Sequence, residues 1–298
     1  MVSDKTYVLI TPARNEEAYI EKTIQSVVSQ TILPQRWIIV SDRSTDRTDE
    51  IVIRYAQEYD FIRYVRSEGS HQRTFTSKVN AFNVGYEKLE GLDYNFLGNL
   101  DADVTFEPAY YENLLNKFLQ NKKLGIAGGV RYDLCNGRFE KVASSRVSVG
   151  GAFQVFRRQC YEDIGGFVPV EIGSEDTIAQ IMARMHGWET EAFPEITVYH
   201  YRCTGTVAGS ILQARFRSGT KDYLIGHHPL FELAKCLYRM TERPYAVGSL
   251  FRISGYCWAS FCHYKRPVPD TFVRYLRAEQ LASLWALLEK GRTFAFRG

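Results

Sequence analysis

Between Tyr7 and Phe118, short apolar runs alternate with segments whose apolar residues recur at helical spacing. This alternation restricts the fold more than any other feature. Tyr7-Val8-Leu9-Ile10-Thr11 is the first run and stops at Pro12, and Ile20, Ile24, Val27 and Val28 then mark one face of a helix within Glu16 to Gln30. Arg36 to Ser41 is a second strand ending at Asp42, followed by a helix through Ile51, Val52 and Tyr55 and a strand at Phe61 to Val65. Val79, Phe82 and Tyr86 line the next helix, and Tyr94 to Leu100 is a further strand ending at Asp101-Ala102-Asp103. Pro108 suits the first turn of a helix carrying Tyr111, Leu114, Leu115 and Phe118. Apolar strands joined by helices pair in parallel and lie between two helix layers. The expected fold is therefore α/β, a mostly parallel Rossmann-like sheet flanked by helices. In such sheets ligands bind at the carboxyl ends of strands, where Pro12, Asp42 and Asp101 to Asp103 fall.

The second half is less regular. Strand candidates lie at Ile126 to Tyr132, Gly151 to Phe156 and Thr197 to Tyr201, and Ile178, Ile181, Met182 and Met185 form a helical stripe within Asp176 to His186. After about Gly205 the pattern is mainly helical. A chain of 298 residues, 45% hydrophobic, can bury one large domain with an appendage. The net charge of +3, with no zinc-finger spacing and no run of recognition lysines, argues against nucleic acid as a partner. The six cysteines form no CxxC pair, and Met1-Val2-Ser3-Asp4-Lys5 runs straight into a strand with no room for a signal peptide. A cytoplasmic protein with reduced, buried thiols is the expectation.

Several carboxylates sit where chemistry is expected. Asp101 and Asp103, one residue apart past an apolar strand, can both reach a hard cation such as Mg2+ or Mn2+, or can simply solvate a turn. Asp42 can accept hydrogen bonds from a base or ribose, while Ser44, Thr45, Asp46 and Thr48 suit the cap of the next helix. The loop Thr11-Pro12-Ala13-Arg14-Asn15-Glu16-Glu17 offers free backbone N–H groups at a helix start. Neither GxGxxG nor GxxxxGK[ST] is present, so a bound diphosphate needs other positive charge: a metal on Asp103, with Arg73 or Lys78. Glu175-Asp176 either caps the following helix or supplies a general base. His200 is a structural histidine or completes a metal site with Asp103. Gln213, Arg215 and Arg217 are a solvated helix face or a basic patch for an anionic group.

In this order and spacing, the motifs resemble those of glycosyltransferase family 2. Thr11-Pro12-Ala13-Arg14-Asn15-Glu16 looks like the family's opening Pro-x-x-Asn-Glu segment. Val40 to Thr48 looks like its nucleotide-binding stretch, with Arg43 where Asp is usual. Lys78 to Gly85 is similar to the segment lining the donor site, Asp101-Ala102-Asp103 matches the DxD motif, and Glu175-Asp176 matches the ED motif.

The resemblance implies a GT-A fold and an inverting transfer of one sugar from a nucleoside-diphosphate sugar to a saccharide or glycolipid acceptor. It implies Mg2+ or Mn2+ held by Asp103, with His200 as a further candidate ligand. Donor contacts would come from Pro12, Ala13, Asn15, Glu16, Asp42, Arg73, Lys78, Asp101 and Ala102. Asp176, or Glu175 as fallback, would be the base, with Gly150 to Gln154 on the acceptor side. The Gln-x-x-Arg-Trp motif of processive synthases is absent, since Gln213-Ala214-Arg215-Phe216-Arg217 lacks the Trp. The implied organisation is a catalytic domain over 1–204, with a nucleotide half of about 1–104 and an acceptor half of about 105–204, then a helical extension over 205–298. A sugar-phosphate nucleotidyltransferase and a non-catalytic carbohydrate-binding protein are the alternatives.

The extension holds an apolar stretch, Tyr245 to Phe261, interrupted by Arg252 and flanked by Arg239, Arg243, Lys265 and Arg266. A later stretch carries Phe272, Leu276, Leu281, Leu284, Trp285 and Leu288. The first is too short and too interrupted for a comfortable membrane span, and its basic flanks suit an anionic lipid surface. Peripheral contact with the inner face of the cell membrane is the expectation, with packing as ordinary core helices the alternative.

Overall fold

The computed structural model describes residues 4–68, 75–142, 145–171, 173–203, 211–241 and 244–289. The chain divides into two compact units, Met1–Cys203 and Thr204–Gly298.

In the first unit β1 (Tyr7–Ala13), α1 (Ile20–Val28), β2 (Arg36–Asp42), α2 (Thr48–Glu58), β3 (Ile62–Ser67), α3 (Phe75–Glu87) and β4 (Phe96–Asn99) follow in strict alternation. The four strands are parallel in the order β3-β2-β1-β4. Tyr7, Val8, Leu9 and Ile10 are all buried, because the central strand is covered on both faces. Parallel pairing aligns the carboxyl ends of β1, β2 and β4 on one edge. Ala13, Asp42 and Asp101 therefore share that edge although far apart in sequence.

Next come β5 (Val104–Phe106), α4 (Tyr110–Gln120), β6 (Leu124–Cys135), β7 (Arg138–Lys141), β8 (Val155–Arg157), α5 (Arg158–Asp163), α6 (Glu175–Met185) and β9 (Glu189–His200). The nine-stranded sheet has the order β3-β2-β1-β4-β8-β6-β9-β5, with β7 paired to β6. β8 is antiparallel to β4 and β6, β5 is antiparallel to β9, and β6 and β9 are parallel. These registers place both Asp133 and Val104 opposite His200. The residue after Asp103 is thereby fixed beside the end of β9.

β9 begins eight residues before the strand expected at Thr197. The pairing with β6 jumps from Gly129↔Phe193 to Val130↔Thr197, so Pro194 to Ile196 bulge out of the ladder. A Cβ on Gly129 would lie 2.4 Å from the Ile196 carbonyl oxygen, so the bulge requires glycine opposite it. The strand expected at Gly151 to Phe156 is instead a one-turn 3-10 helix, Gly151–Phe153, followed by the three residues of β8.

The expectation of uniformly reduced thiols is overturned. Cys135 and Cys203 form a disulfide, with Cα atoms 5.0 Å apart across 68 residues of sequence. Both lie just beyond the Asp133–His200 pair, where β6 and β9 bring the chain together. Cys160 and Cys236 are buried thiols, while Cys257 and Cys262 are exposed.

The second unit consists of α7 (Ile211–Ile225), α8 (Pro229–Tyr238), a 3-10 turn at Arg239–Thr241, α9 (Tyr245–Phe261) and α10 (Asp270–Glu289). α7 and α9 touch backbone to backbone. A Cβ on Gly219 would lie 1.8 Å from the Arg252 carbonyl oxygen, and one on Gly255 would lie 2.1 Å from that of Phe216. α9 has an inverted polarity. Its buried positions are Gly248, Ser249, Arg252, Gly255, Tyr256 and Ala259, while Val247, Leu250, Phe251, Trp258 and Phe261 are exposed. In α10 the residues expected on one face divide, with Phe272 and Leu276 buried and Trp285 and Leu288 exposed. Among the described residues no helix is long and apolar enough to cross a membrane.

Candidate active site

The β1–α1 loop and the β2–α2 loop are bound to each other. Asn15, at φ 56°, accepts the Thr45 N–H on its side-chain oxygen at 2.8 Å, and the Glu16 N–H donates to Thr48 Oγ1 at 2.7 Å. Asp46 Oδ1 accepts the Thr48 N–H at 3.0 Å, so it caps the start of α2 as its position suggested. Asp42 is buried at the end of β2, with Arg14 Nη1 3.3 Å away. Pro12 and Ala13 belong to β1 itself, and the Ala13 side chain is buried.

Asp101 and Asp103 have different surroundings. Asp101 is paired with Lys78, whose Nζ lies 2.7 Å from Oδ1 and 3.0 Å from Oδ2. Between them Ala102 is buried, and its carbonyl oxygen accepts the Thr23 hydroxyl at 2.8 Å, which ties the motif to α1. Asp103 is only 3% exposed, so it is not the exposed strand-end turn residue that the sequence left open. Arg202 Nη1 lies 2.8 Å from Asp103 Oδ2, and His200 Nε2 lies 3.5 Å from the same oxygen. Glu16 is drawn into the group, since its carboxylate pairs with Arg202 at 2.9 and 2.5 Å. Both oxygens of its carboxylate are thus engaged by Arg202. Arg73 lies outside the described residues.

His200 is held from behind. Its Nδ1 is 3.0 Å from Asp133 Oδ1, which Arg131 Nε also approaches at 2.9 Å. An ionised carboxylate only accepts, so Nδ1 carries the proton and Nε2 faces Asp103. Burial opposes a charge on His200, but the Asp103 and Asp133 carboxylates outweigh it and raise its pKa. Burial likewise opposes ionisation of Asp103, yet His200, Arg202 and Lys78 together lower its pKa. Asp133 was missed in the sequence because its relevance depends on the register of β6 against β9. Arg202 was not singled out either.

These residues fit a divalent ion. One carboxylate oxygen and one imidazole nitrogen face each other across 3.5 Å, the spacing expected of two ligands on one metal. The second imidazole nitrogen is fixed by a carboxylate, as metal-ligating histidines usually require. The guanidinium of Arg202 already supplies positive charge at Asp103, and it retains Glu16 as a partner if it leaves.

Glu175 and Asp176 open α6. Asp176 Oδ1 accepts the Thr177 N–H at 2.8 Å, while the other oxygen faces Gly151, where a Cβ would stand only 2.5 Å from it. The tight backbone at Gly151 thus leaves room for the Asp176 carboxylate against the 150–154 segment. Gln154, fully buried, donates to the Val149 and Asp176 carbonyls at 3.3 and 3.4 Å and holds that segment to α6. Burial raises the pKa of Glu175, Lys78 opposes the rise, and Asp176 adds to it. Burial also works against the charge of Lys78, but Asp101, Glu175 and Asp176 keep its pKa above the ordinary value. One ammonium therefore feels both carboxylate pairs.

The family model for glycosyl transferase family 2 matches residues 8–173, more than half of the chain. The chain belongs to glycosyl transferase family 2. Poly-beta-1,6-N-acetyl-D-glucosamine synthase of Staphylococcus epidermidis is 25% identical over 170 residues, covering 51% of this chain and 39% of that protein. The probable glycosyltransferase YdaM of Bacillus subtilis is 28% identical over 213 residues, covering 64% and 49%. The chain thus spans less than half the length of these relatives. The solved mannosyltransferase PcManGT of Pyrobaculum calidifontis, in complex with GDP-Man and Mn2+, has a TM-score of 0.55 at 17% identity, covering 96% of this chain and 79% of that one. At that identity the likeness shows the shared GT-A fold. The matched range lies within the first unit and contains Asp101 and Asp103 but ends two residues before Glu175.

Proposed function

We propose that this chain is a metal-dependent, inverting glycosyltransferase that moves a single sugar from a nucleoside-diphosphate sugar to an acceptor hydroxyl. The catalytic domain corresponds to residues 1–204 and the extension to 205–298. The observation that carries this reading is Lys78, which pairs with Asp101 while lying in the field of Glu175 and Asp176. A donor-side carboxylate pair and a candidate base pair therefore converge on one cation.

On this reading Asp42 receives the base or ribose, and the loop from Pro12 to Asn15 shapes the nucleoside pocket by its backbone. Asp101 orients the donor next to Lys78. Asp103 and His200 hold Mg2+ or Mn2+, which when bound supplies the positive charge that a departing diphosphate needs. Asp176 takes the proton of the acceptor hydroxyl as that oxygen attacks the anomeric carbon from the face opposite the leaving group. Glu175, with its raised pKa, is the second candidate for this proton. The absence of a Gln-x-x-Arg-Trp motif favours one transfer per binding event.

The acceptor proposed is a saccharide of a lipid-linked or polysaccharide precursor, because the second unit carries a surface suited to lipid. Leu230, Leu233 and Leu237 of α8 are exposed, as are Val247, Leu250, Phe251, Trp258 and Phe261 of α9. Exposed Lys265 follows directly. Apolar side chains beside a basic residue are what an anionic bilayer interface accommodates.

The test is hydrolysis and transfer with a panel of nucleotide sugars, with Mn2+, with Mg2+ and in excess chelator. Metal-dependent release of one nucleoside diphosphate, lost in Asp103→Asn, supports the proposal. Full activity in excess chelator would sink it.

A further inference from the structure

The second unit has a charged core. Asp222 near the end of α7, His227 in the α7–α8 connection, Glu232 and Lys235 of α8 and Arg252 of α9 meet in its interior. Glu232 is fully buried and His227 is 8% exposed. Arg252 takes one side of the cluster. Its Nε lies 2.9 Å from Glu232 Oε1, and its Nη2 is bonded to Asp222 Oδ2. Each carboxylate thus spends one oxygen on Arg252 and directs the other elsewhere.

Those other oxygens converge on His227. Glu232 Oε2 lies 3.4 Å and Asp222 Oδ1 3.7 Å from His227 Nδ1, and the three atoms all lie within 4.8 Å of one another. Glu232 Oε2 and His227 Nδ1 are both buried with no hydrogen-bond partner. A buried polar atom without a partner is costly, so a carboxylate oxygen and an imidazole nitrogen aimed at one point call for something between them.

We propose that Asp222 Oδ1, His227 Nδ1 and Glu232 Oε2 form a binding site for a divalent transition-metal ion, Zn2+ foremost, that braces the helical unit. Bonds of about 2.0–2.2 Å in tetrahedral arrangement place neighbouring ligand atoms about 3.3–3.6 Å apart, close to the two distances observed. One imidazole and two carboxylates favour Zn2+ over Mg2+, which prefers oxygen and retains its water. Arg252 acts as the outer-shell partner that orients both carboxylates. Lys235, with Nζ 3.6 Å from Asp222 Oδ1, is the cation that the metal displaces. The ion would tie α7, the α7–α8 connection and α8 together and reach α9 through Arg252. No residue is shared with Asp103 and His200.

The test uses the full-length protein stripped of metal and titrated with Zn2+ against a chromogenic chelator, with thermal unfolding in parallel. An Asp103→Asn background removes uptake at the family's own metal site. In that background one tight zinc equivalent that raises Tm is expected, and His227→Ala, which breaks no ion pair with Arg252, should abolish it. Lys235→Met provides a second readout, because removing the competing cation should tighten zinc binding. Absence of tight zinc in the Asp103→Asn protein would overturn the proposal, as would zinc uptake unchanged in His227→Ala. Lys235→Met that leaves zinc affinity unaltered or weaker would overturn the role of Lys235 as the competing cation.

Discussion

His200 donates its Nδ1 proton to Asp133 Oδ1 across 3.0 Å, and this bond aims Nε2 at Asp103. The pair exists because β6 and β9 run parallel in a register that sets Asp133 opposite His200. Asp133→Asn should therefore weaken Mn2+ binding by about 10–100-fold, the usual effect of removing an outer-shell partner. Calorimetric titration with Mn2+ checks this. Unchanged affinity would mean that His200 is oriented by other contacts or is no ligand.

The two carboxylates at the start of α6 should separate in kinetics. Asp176→Asn is expected to lower sugar transfer by about 10²–10⁴-fold, the range for loss of a general base, while donor binding persists. Loss of donor affinity in proportion to activity would move Asp176 to the donor site or to folding. Glu175→Gln, assayed in parallel, assigns the base if Asp176→Asn retains its rate.

Glu175 also predicts a pH dependence of stability. Burial raises its pKa in the folded protein above the ordinary 4.5. Its contribution is therefore fully present below that value and is lost as pH rises through the folded pKa. Glu175→Gln never ionises, so its Tm should match wild type near about pH 4 and exceed it near about pH 8. Differential scanning calorimetry at the two pH values decides the matter, and an equal Tm difference at both would show that ionisation plays no part.

Legibility in the sequence followed how local each feature is. The first four strands and their helices were readable because each is one apolar run or one helical stripe, and the carboxylates at their ends followed from parallel pairing. Glu175-Asp176 was placed at a helix start by the stripe of Ile178, Ile181 and Met182. Asp133 was invisible, since nothing near it in the chain indicates which strand it faces. The first part of β9 was hidden by Pro194, which the structure places in a bulge. Arg252 was taken as an interruption of an apolar stretch, whereas it faces inward to Asp222 and Glu232 and the apolar residues face out.

The Cys135–Cys203 disulfide closes a 68-residue separation just beyond the Asp133–His200 pair. Reduction, or Cys135→Ser, should destabilise the first unit by about 2–4 kcal/mol, the typical contribution of such a cross-link. Chemical denaturation with and without reductant measures it. Labelling that finds both thiols free in protein purified under oxidising conditions would refute the bond.

The membrane proposal makes the last prediction. Arg266 is a poor residue for testing it, because its guanidinium stacks on the Tyr223 ring at 4.5 Å and donates to the Tyr223 carbonyl. Its replacement would damage the helical unit itself. Trp258 and Phe261 are 52% and 78% exposed, and Lys265 is exposed beyond them, so they can be changed without opening the core. Full burial of an aromatic side chain of this kind is worth about 1.5–3 kcal/mol, so losing two should reduce partition into lipid by about two to four powers of ten. Wild-type protein is expected to float with anionic liposomes at low salt, less so at high salt as the lysine is screened, and Trp258→Ser with Phe261→Ser should remain in the lower fractions. Lys265→Glu alone should weaken flotation with anionic vesicles and leave the weak association with neutral ones unchanged. Wild-type protein that ignores anionic vesicles at low salt would leave the exposed face of α8 and α9 without a lipid partner and refute the proposal.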